Sequence, residues 1–231
     1  MKGILFDMDG VLLDAMPFHA NAFEIAFKEV VDLDIDKKDV YLLEGMPGRD
    51  LVKEILKKYG QSNSDHSIIE KISDRKKDHF KKNEKVKPFE GVKELLSLLK
   101  GDDNCVKAVV SGAAENEVKS LLQKNDLLSS FELVITGEDL KEGKPGPEPF
   151  VTALEKLGLR TNEALAVENS PLGVESAAKA GIRFIVTLNN TPLKLDDFVK
   201  LPKDRQRLEN VLFKDTKSAV SYLVNWCRDI Y

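Results

Sequence analysis

The feature that most limits what this chain can fold into begins at Gly91, where short apolar runs and helical stretches alternate. Val92–Lys100 has helical spacing and Cys105–Val110 is an apolar run. Glu115–Lys124 is helical, Leu133–Thr136 apolar and Glu148–Leu157 helical. Ala164–Val167, Gly173–Ala180 and Arg183–Leu188 continue the pattern as strand, helix and strand. Apolar runs this short, bounded by turn residues, suit buried strands. Alternation with helices builds a parallel sheet covered on both faces. Gly101, Gly158 and Gly181 fall at the ends of the helical stretches, where glycine closes helices. The tail predicts a short strand at Val211–Phe213 and a last helix at Ser218–Cys227. Residues 189–210 read as a long loop with a short helix.

One more strand opens the chain. Ile4 to Phe6 is apolar and ends in Asp7-Met8-Asp9-Gly10. Ligands of open α/β sheets bind beyond the carboxyl ends of such strands, and Gly10 lets the backbone turn there. A surface turn has the same composition, since Asp and Gly are ordinary turn residues. Between Leu13 and Val86 no strand pattern occurs. Phe18–Val31, Asp50–Tyr59 and Ser67–Lys82 are helical, the second closed by Gly60. Lys85-Val86-Lys87-Pro88-Phe89-Glu90-Gly91 carries the Pro and Gly of a connector. The expected organisation is an α/β core formed by residues 1–15 and 86–231, with an all-helical insert over 16–85.

Composition bounds the function. At 42% hydrophobic and 32% charged residues, the chain reads as globular rather than disordered. A net charge of −4 with scattered Lys and Arg gives no reason to expect nucleic acid. No apolar run approaches a membrane span, and Met1-Lys2-Gly3 leads straight into the first strand, without a signal peptide. Cys105 and Cys227 lie far apart without metal-ligand spacing and read as reduced buried thiols, which points to the cytoplasm. A monomer is expected.

The strand ends collect a chemical set. The first delivers Asp7 and Asp9, Val106–Val110 delivers Ser111-Gly112, and Ala164–Val167 delivers Glu168-Asn169-Ser170. The loop after Leu133–Thr136 contains Lys144-Pro145. In a parallel sheet all four lie on one edge. A carboxylate can attack phosphorus and carry the group, and a second acid can protonate the leaving oxygen and later deprotonate water. Hard oxygen ligands hold Mg²⁺; a hydroxyl, backbone amides and a lysine spread phosphoryl charge. Taken singly, Ser111-Gly112 is also a turn and Lys144 a solvated loop charge. Glu168-Asn169-Ser170 also reads as a cap for the helix that Pro171 opens.

Asp7-Met8-Asp9-Gly10, Ser111-Gly112, Lys144-Pro145 and Glu168-Asn169 together resemble the four motifs of the haloacid dehalogenase superfamily, nearly end to end. The helical insert resembles the cap of its phosphatase and β-phosphoglucomutase branch. The resemblance implies an α/β fold with a Rossmann-like three-layer core and a parallel sheet, plus an inserted all-helical cap. It also implies Asp7 as nucleophile and Asp9 as general acid and base. Ser111 and Lys144 would hold the phosphoryl group beside Gly112, and Asp7, Asp9, Glu168 and Asn169 would form the Mg²⁺ site. Many relatives carry Asp where this chain has Asn169, so one formal negative charge is missing. Mutases of the group commonly have Ser or Thr at the hinge position of Ala15.

Within the insert, Arg49 follows the loop Gly45-Met46-Pro47-Gly48 and stands in a first helical turn. A cation there faces the positive end of the helix dipole and makes more sense gripping an anion, although a solvated pair with Asp50 reads equally from sequence. His19 and Lys76 match positions that approach substrate in relatives. The expected activity is a Mg²⁺-dependent phosphatase acting on a small phosphorylated metabolite, a sugar phosphate or phosphoglycolate, through an aspartyl phosphate. A β-phosphoglucomutase-like mutase is the rival enzyme, and a catalytically silent binding or signalling relative the rival of another class.

Overall fold

The computed structural model describes residues 1–61, 65–81, 85–198 and 211–228. Six strands form one parallel sheet: β1 (Lys2–Phe6), β2 (Cys105–Val110), β3 (Leu133–Ile135), β4 (Ala164–Glu168), β5 (Arg183–Thr187) and β6 (Leu212–Phe213). Their order is β3-β2-β1-β4-β5-β6, so the chain's first strand sits at the sheet's centre. Ile4, Leu5 and Phe6 are fully buried there, as an apolar run covered on both faces requires. Phe6 pairs with Val109 on one side and Val167 on the other. That register carries Asp7, Ser111 and Glu168 to the same sheet edge.

Among the described residues, four helices lie between β1 and the core's next helix. They are α1 (Met16–Val31), α2 (Lys37–Leu42), α3 (Gly48–Lys58) and α4 (His66–Lys81). Met16, Ala20, Phe23 and Phe27 form the buried stripe of α1. They meet Leu51, Val52, Ile55 and Leu56 of α3 and Ile69 and Ile72 of α4 in one cluster. Each large side chain buried this way contributes about 1.5–3 kcal/mol. The remaining helices among the described residues are α5 (Val92–Leu98), α6 (Glu115–Lys124), α7 (Glu148–Leu157), α8 (Pro171–Lys179), α9 (Leu195–Phe198) and α10 (Thr216–Cys227). The α8 helix starts two residues earlier than the sequence pattern predicts. Ser170 caps it by accepting from the Gly173 amide at 3.1 Å, and Pro171 occupies its first turn.

Two readings are corrected. The insert contains α2, which the sequence pattern does not reveal. Six residues are too few to show a period, and its start rests on one local cap, the Asp36 side chain accepting from the Lys38 amide at 2.9 Å. The cysteines are not free thiols. Cys105 opens β2 and Cys227 closes α10, and packing of that helix against the sheet brings their Cα atoms to 5.4 Å as a disulfide across 122 residues of sequence. The inference of a cytoplasmic location from reduced thiols falls with it. The loop expected over 189–210 does contain a short helix, α9; its residues 199–210 lie outside the described residues, as does Lys82 at the end of the helix expected at Ser67–Lys82. Among the described residues no helix is long and apolar enough to cross a membrane.

Candidate active site

Asp7 leaves β1 with its amide still bonded to the sheet, donating to the Val167 carbonyl at 2.9 Å. The turn that follows is possible because Gly10 adopts φ +95°, and a Cβ there would fall 2.0 Å from Asn169 Nδ2. The turn is pinned from the far end of the chain: Asn189 Nδ2 donates to Gly10 O at 2.7 Å and Thr216 Oγ1 to Val11 O at 3.0 Å. Asp7 and Asp9 are buried at 4% and 8% exposure, so each carboxylate depends on its neighbours for compensation.

The compensation is uneven. Lys144 Nζ lies 2.6 Å from Asp7 Oδ1 and 2.6 Å from Glu168 Oε1, and donates to the Val110 carbonyl at 3.2 Å. Burial pulls the ammonium's pKa down, but Asp7 and Glu168 outweigh it and hold the lysine charged. On the acids burial prevails: it raises Asp7 against the opposing Lys144, lifts Asp9 to about 6 and pushes Glu168 to about 7. A further carboxyl reaches the same place from the insert. Glu44, 8% exposed, accepts from Asn169 Nδ2 at 2.6 Å. Burial, with Asp7 and Glu168 adding repulsion, raises it well above the ordinary carboxyl range. Four buried acids thus face the single ammonium of Lys144, with the Lys76 charge acting on Asp9.

Comparison with known proteins gives the family. Residues 4–187 match the family model described as haloacid dehalogenase-like hydrolase. The chain belongs to that family. It is 28% identical over 188 residues to a phosphorylated carbohydrates phosphatase of Thermotoga maritima, covering 80% of this chain and 84% of the relative. It is 30% identical over 203 residues to a phosphoglycolate phosphatase of Aquifex aeolicus, covering 87% and 88%. A solved structure from Bacteroides vulgatus, provisionally called a β-phosphoglucomutase, superposes with a TM-score of 0.84 at 29% identity, over 99% of this chain and 89% of that one. The chain is therefore a hydrolase of the haloacid dehalogenase-like family with the Rossmann-like α/β core and helical cap its sequence implies.

The motif residues do not all face the same space. A cavity of about 570 Å³ separates cap and core, and its core wall includes Asp7, Asp9, Ser111 and Gly112. Its cap wall includes His19, Arg49 and Lys76. Lys144, Glu168 and Asn169 are buried outside that wall. The Lys144 stem runs beneath Gly45, where an added Cβ would come within 2.8 Å of it. Ser111 Oγ accepts from the Ala113 amide at 3.2 Å, which leaves the hydroxyl proton available to a ligand. His19 stacks on Phe80 at 3.9 Å, and its Nε2 lies 3.5 Å from Asp9 Oδ2. Burial and the Lys76 charge lower its pKa to about 3, so the ring is neutral. Lys76 lies over the rings of Phe23 and Phe80 at 5.3 and 4.8 Å. Arg49 is not free: its Nε is 2.7 Å from Glu70 Oε1, and a second nitrogen donates to Oε2 at 2.8 Å.

Asp7 Oδ2, Asp9 Oδ1 and Asn169 Oδ1 are buried oxygens without a hydrogen-bond partner. Unsatisfied oxygens beside surplus negative charge fit a hard cation. A second grouping, Asp9, His19 and Glu117, places ligand atoms within 4.8 Å of one another, but its imidazole suits softer metals better. Sequence reasoning missed Glu44 and Glu117. Glu117 stands in the first turn of α6, where an acid is unremarkable, and Glu44 immediately precedes the glycine-flanked loop with nothing local to mark it.

Proposed function

We propose that the chain is a Mg²⁺-dependent phosphatase of a small phosphorylated metabolite, a sugar phosphate or phosphoglycolate, working through an aspartyl phosphate on Asp7. The observation that carries this reading is the pair Asp7 and Asp9 at the exit of β1, both in the wall of a cavity shared with the cap. Phosphatase relatives of the chain support it.

Asp7 Oδ2 has no protein partner and is the attacking atom, while Oδ1 is held by Lys144 at 2.6 Å. Attack forms the Asp7 O–P bond and breaks the ester P–O bond. Asp9, with its pKa near 6, is protonated often enough near neutrality to give the leaving oxygen its proton. The resulting Asp9 carboxylate then takes a proton from water, whose oxygen displaces Asp7 from phosphorus and releases orthophosphate. Ser111 and the Gly112 amide line the same wall and serve as donors to the phosphoryl oxygens. Lys144 opposes the effect of burial on Asp7 and orients its carboxyl for attack. Asp7, Asp9, Glu168 and Asn169 would hold Mg²⁺, through the orphaned Oδ1 of Asn169 among others. When bound there, the ion would supply positive charge to offset the phosphate dianion and the buried acids. Arg49 and Lys76 in the cap wall would contact the body of the substrate.

Orthophosphate release across a panel of phosphorylated metabolites, with Mg²⁺ and with chelator, tests the reading. Mg²⁺-dependent release from a sugar phosphate or phosphoglycolate is expected. An isomeric sugar phosphate in place of free phosphate would make the enzyme a mutase, and no turnover of any compound would dismiss the reading.

A further inference from the structure

The formal charge missing at Asn169 reappears from the other side of the cavity. Both amide hydrogens of Asn169 are taken. Nδ2 donates to the Asp9 carbonyl at 3.1 Å and to the Glu44 carboxylate at 2.6 Å. With the nitrogen so fixed, Oδ1 is left as a buried oxygen without a partner. Asp9 is in the core and Glu44 is in the cap, so one amide group is tied to both. An aspartate at position 169 would have no N–H to offer and would set its charge against Glu44. An asparagine at 169 and a glutamate at 44 are therefore complementary choices.

The loop that carries Glu44 docks where the core is cut back to receive it. A Cβ on Gly45 would meet the Lys144 side chain at 2.8 Å. One on Gly112 would lie 3.0 Å from the Gly45 carbonyl, and one on Gly143 would lie 2.7 Å from Pro47. Three glycines line this contact, and closer packing than a methyl group allows is what delivers the Glu44 carboxylate to Asn169.

We infer that Glu44 is a positioning residue which latches the cap to Asn169 and brings the metal pocket the negative charge its own loop lacks, so that cap docking and cation binding are coupled. The inference rests on the phosphatase reading for the identity of the cation, Mg²⁺, but the latch itself does not. When the cap is docked and the cation is bound, Glu44 as a carboxylate gives the pocket the charge that an Asp at 169 would give it. When the cap is away, the pocket holds the cation more weakly. Linkage then requires that the cation favour the docked cap to the same degree.

A charge swap tests this in the full-length protein, with thermal melts to confirm folding of every variant. Docking is read without metal, from hydrogen exchange at residues 44–48 and 111–113, which face each other across the contact. Mg²⁺ affinity is read by calorimetry without substrate. Asn169→Asp alone should speed exchange in both segments at least about tenfold, because two carboxylates then oppose each other. Adding Glu44→Gln should restore slow exchange, since the glutamine amide can donate to the new aspartate. Glu44→Gln alone keeps an acceptor for Asn169 and should dock, yet it should bind Mg²⁺ about tenfold more weakly than the parent. The double variant, with the charge moved from 44 to 169, should return to parental affinity. If the double variant exchanges as fast as Asn169→Asp, Glu44 and Asn169 are not partners and the latch is wrong. If Glu44→Gln binds Mg²⁺ as the parent does, the charge contribution is wrong. A parent that binds no Mg²⁺ would remove the metal reading and with it the coupling, while the exchange comparison would still decide the latch by itself.

Discussion

Asp7 and Asp9 stand two residues apart and differ in what touches them. Lys144 lies 2.6 Å from Asp7, whereas Asp9 has the neutral ring of His19 at 3.5 Å and its pKa rises to about 6. Burial raises both acids, but of the two only Asp7 is hydrogen-bonded by a lysine, which fits Asp7 to attack and leaves Asp9 to carry the proton. Asp7→Asn should lower phosphate release by more than about a thousandfold, roughly 4 kcal/mol in barrier, and abolish trapping of a phosphoenzyme while the melting temperature changes little. Activity within about tenfold of the parent would exclude Asp7 as nucleophile. Glu168 allows a test through pH. Its folded pKa, about 7, lies above the ordinary 4.5, so between those values the folded state binds more protons than the unfolded one. Stability is therefore lost as pH rises through that window. His19, lowered to about 3, acts in the opposite sense up to its ordinary 6.5, so the comparison should be made against a variant that differs only at 168. In chelator, the stability of the parent relative to Glu168→Gln should fall from pH 5 to pH 8 by up to about 3 kcal/mol. Parallel stability–pH curves would show that Glu168 ionises normally.

At the scale of elements, α3 and α4 contribute Arg49 and Lys76 to the cap wall, and Arg49 joins the two helices through a paired contact with Glu70. The pair is largely exposed on the arginine side, where such contacts contribute about 0–1 kcal/mol. Support of the fold is thus a weak reason for an arginine in a first helical turn, and its place in the cavity wall gives a stronger one. Arg49→Ala should leave the melting temperature within a few degrees while lowering kcat/KM for the physiological metabolite at least about tenfold more than for a small aryl phosphate. A small aryl ester lacks the remote groups whose binding lowers the barrier. Equal losses on both substrates would reduce Arg49 to a tie between two helices.

For the molecule as a whole, the buried acids outnumber the compensating lysines and should make the metal-free protein less stable than its core would allow. A cation that binds only the folded state adds about 2.7 kcal/mol when present at a hundred times its Kd. For a chain of this size that is a rise of about 5–10 °C in melting temperature. Scanning calorimetry with chelator and then with saturating Mg²⁺ should show this rise, and activity should disappear and return with the ion. A melting temperature indifferent to Mg²⁺ would count against the metal site whatever the activity shows.

The sequence by itself determined the sheet, because strand and helix periods are local. Cys105–Val110, Glu115–Lys124 and Glu148–Leu157 occur with the bounds their patterns predict. It also placed Asp7, Ser111 and Glu168 together, since in a parallel sheet every strand exit lies on one edge and no distant contact needs to be known. What the tertiary structure decided depends on groups far apart in the chain. Glu44 meets Asn169 across 125 residues, and Cys105 meets Cys227 across 122. No local pattern encodes either pair. Lys144 shows the same division within one residue: its motif announced an ammonium for the site, but only packing under Gly45 put that charge behind Asp7 rather than in the open cavity. Local chemistry chose which groups the site would contain, and long-range packing chose which of them would touch.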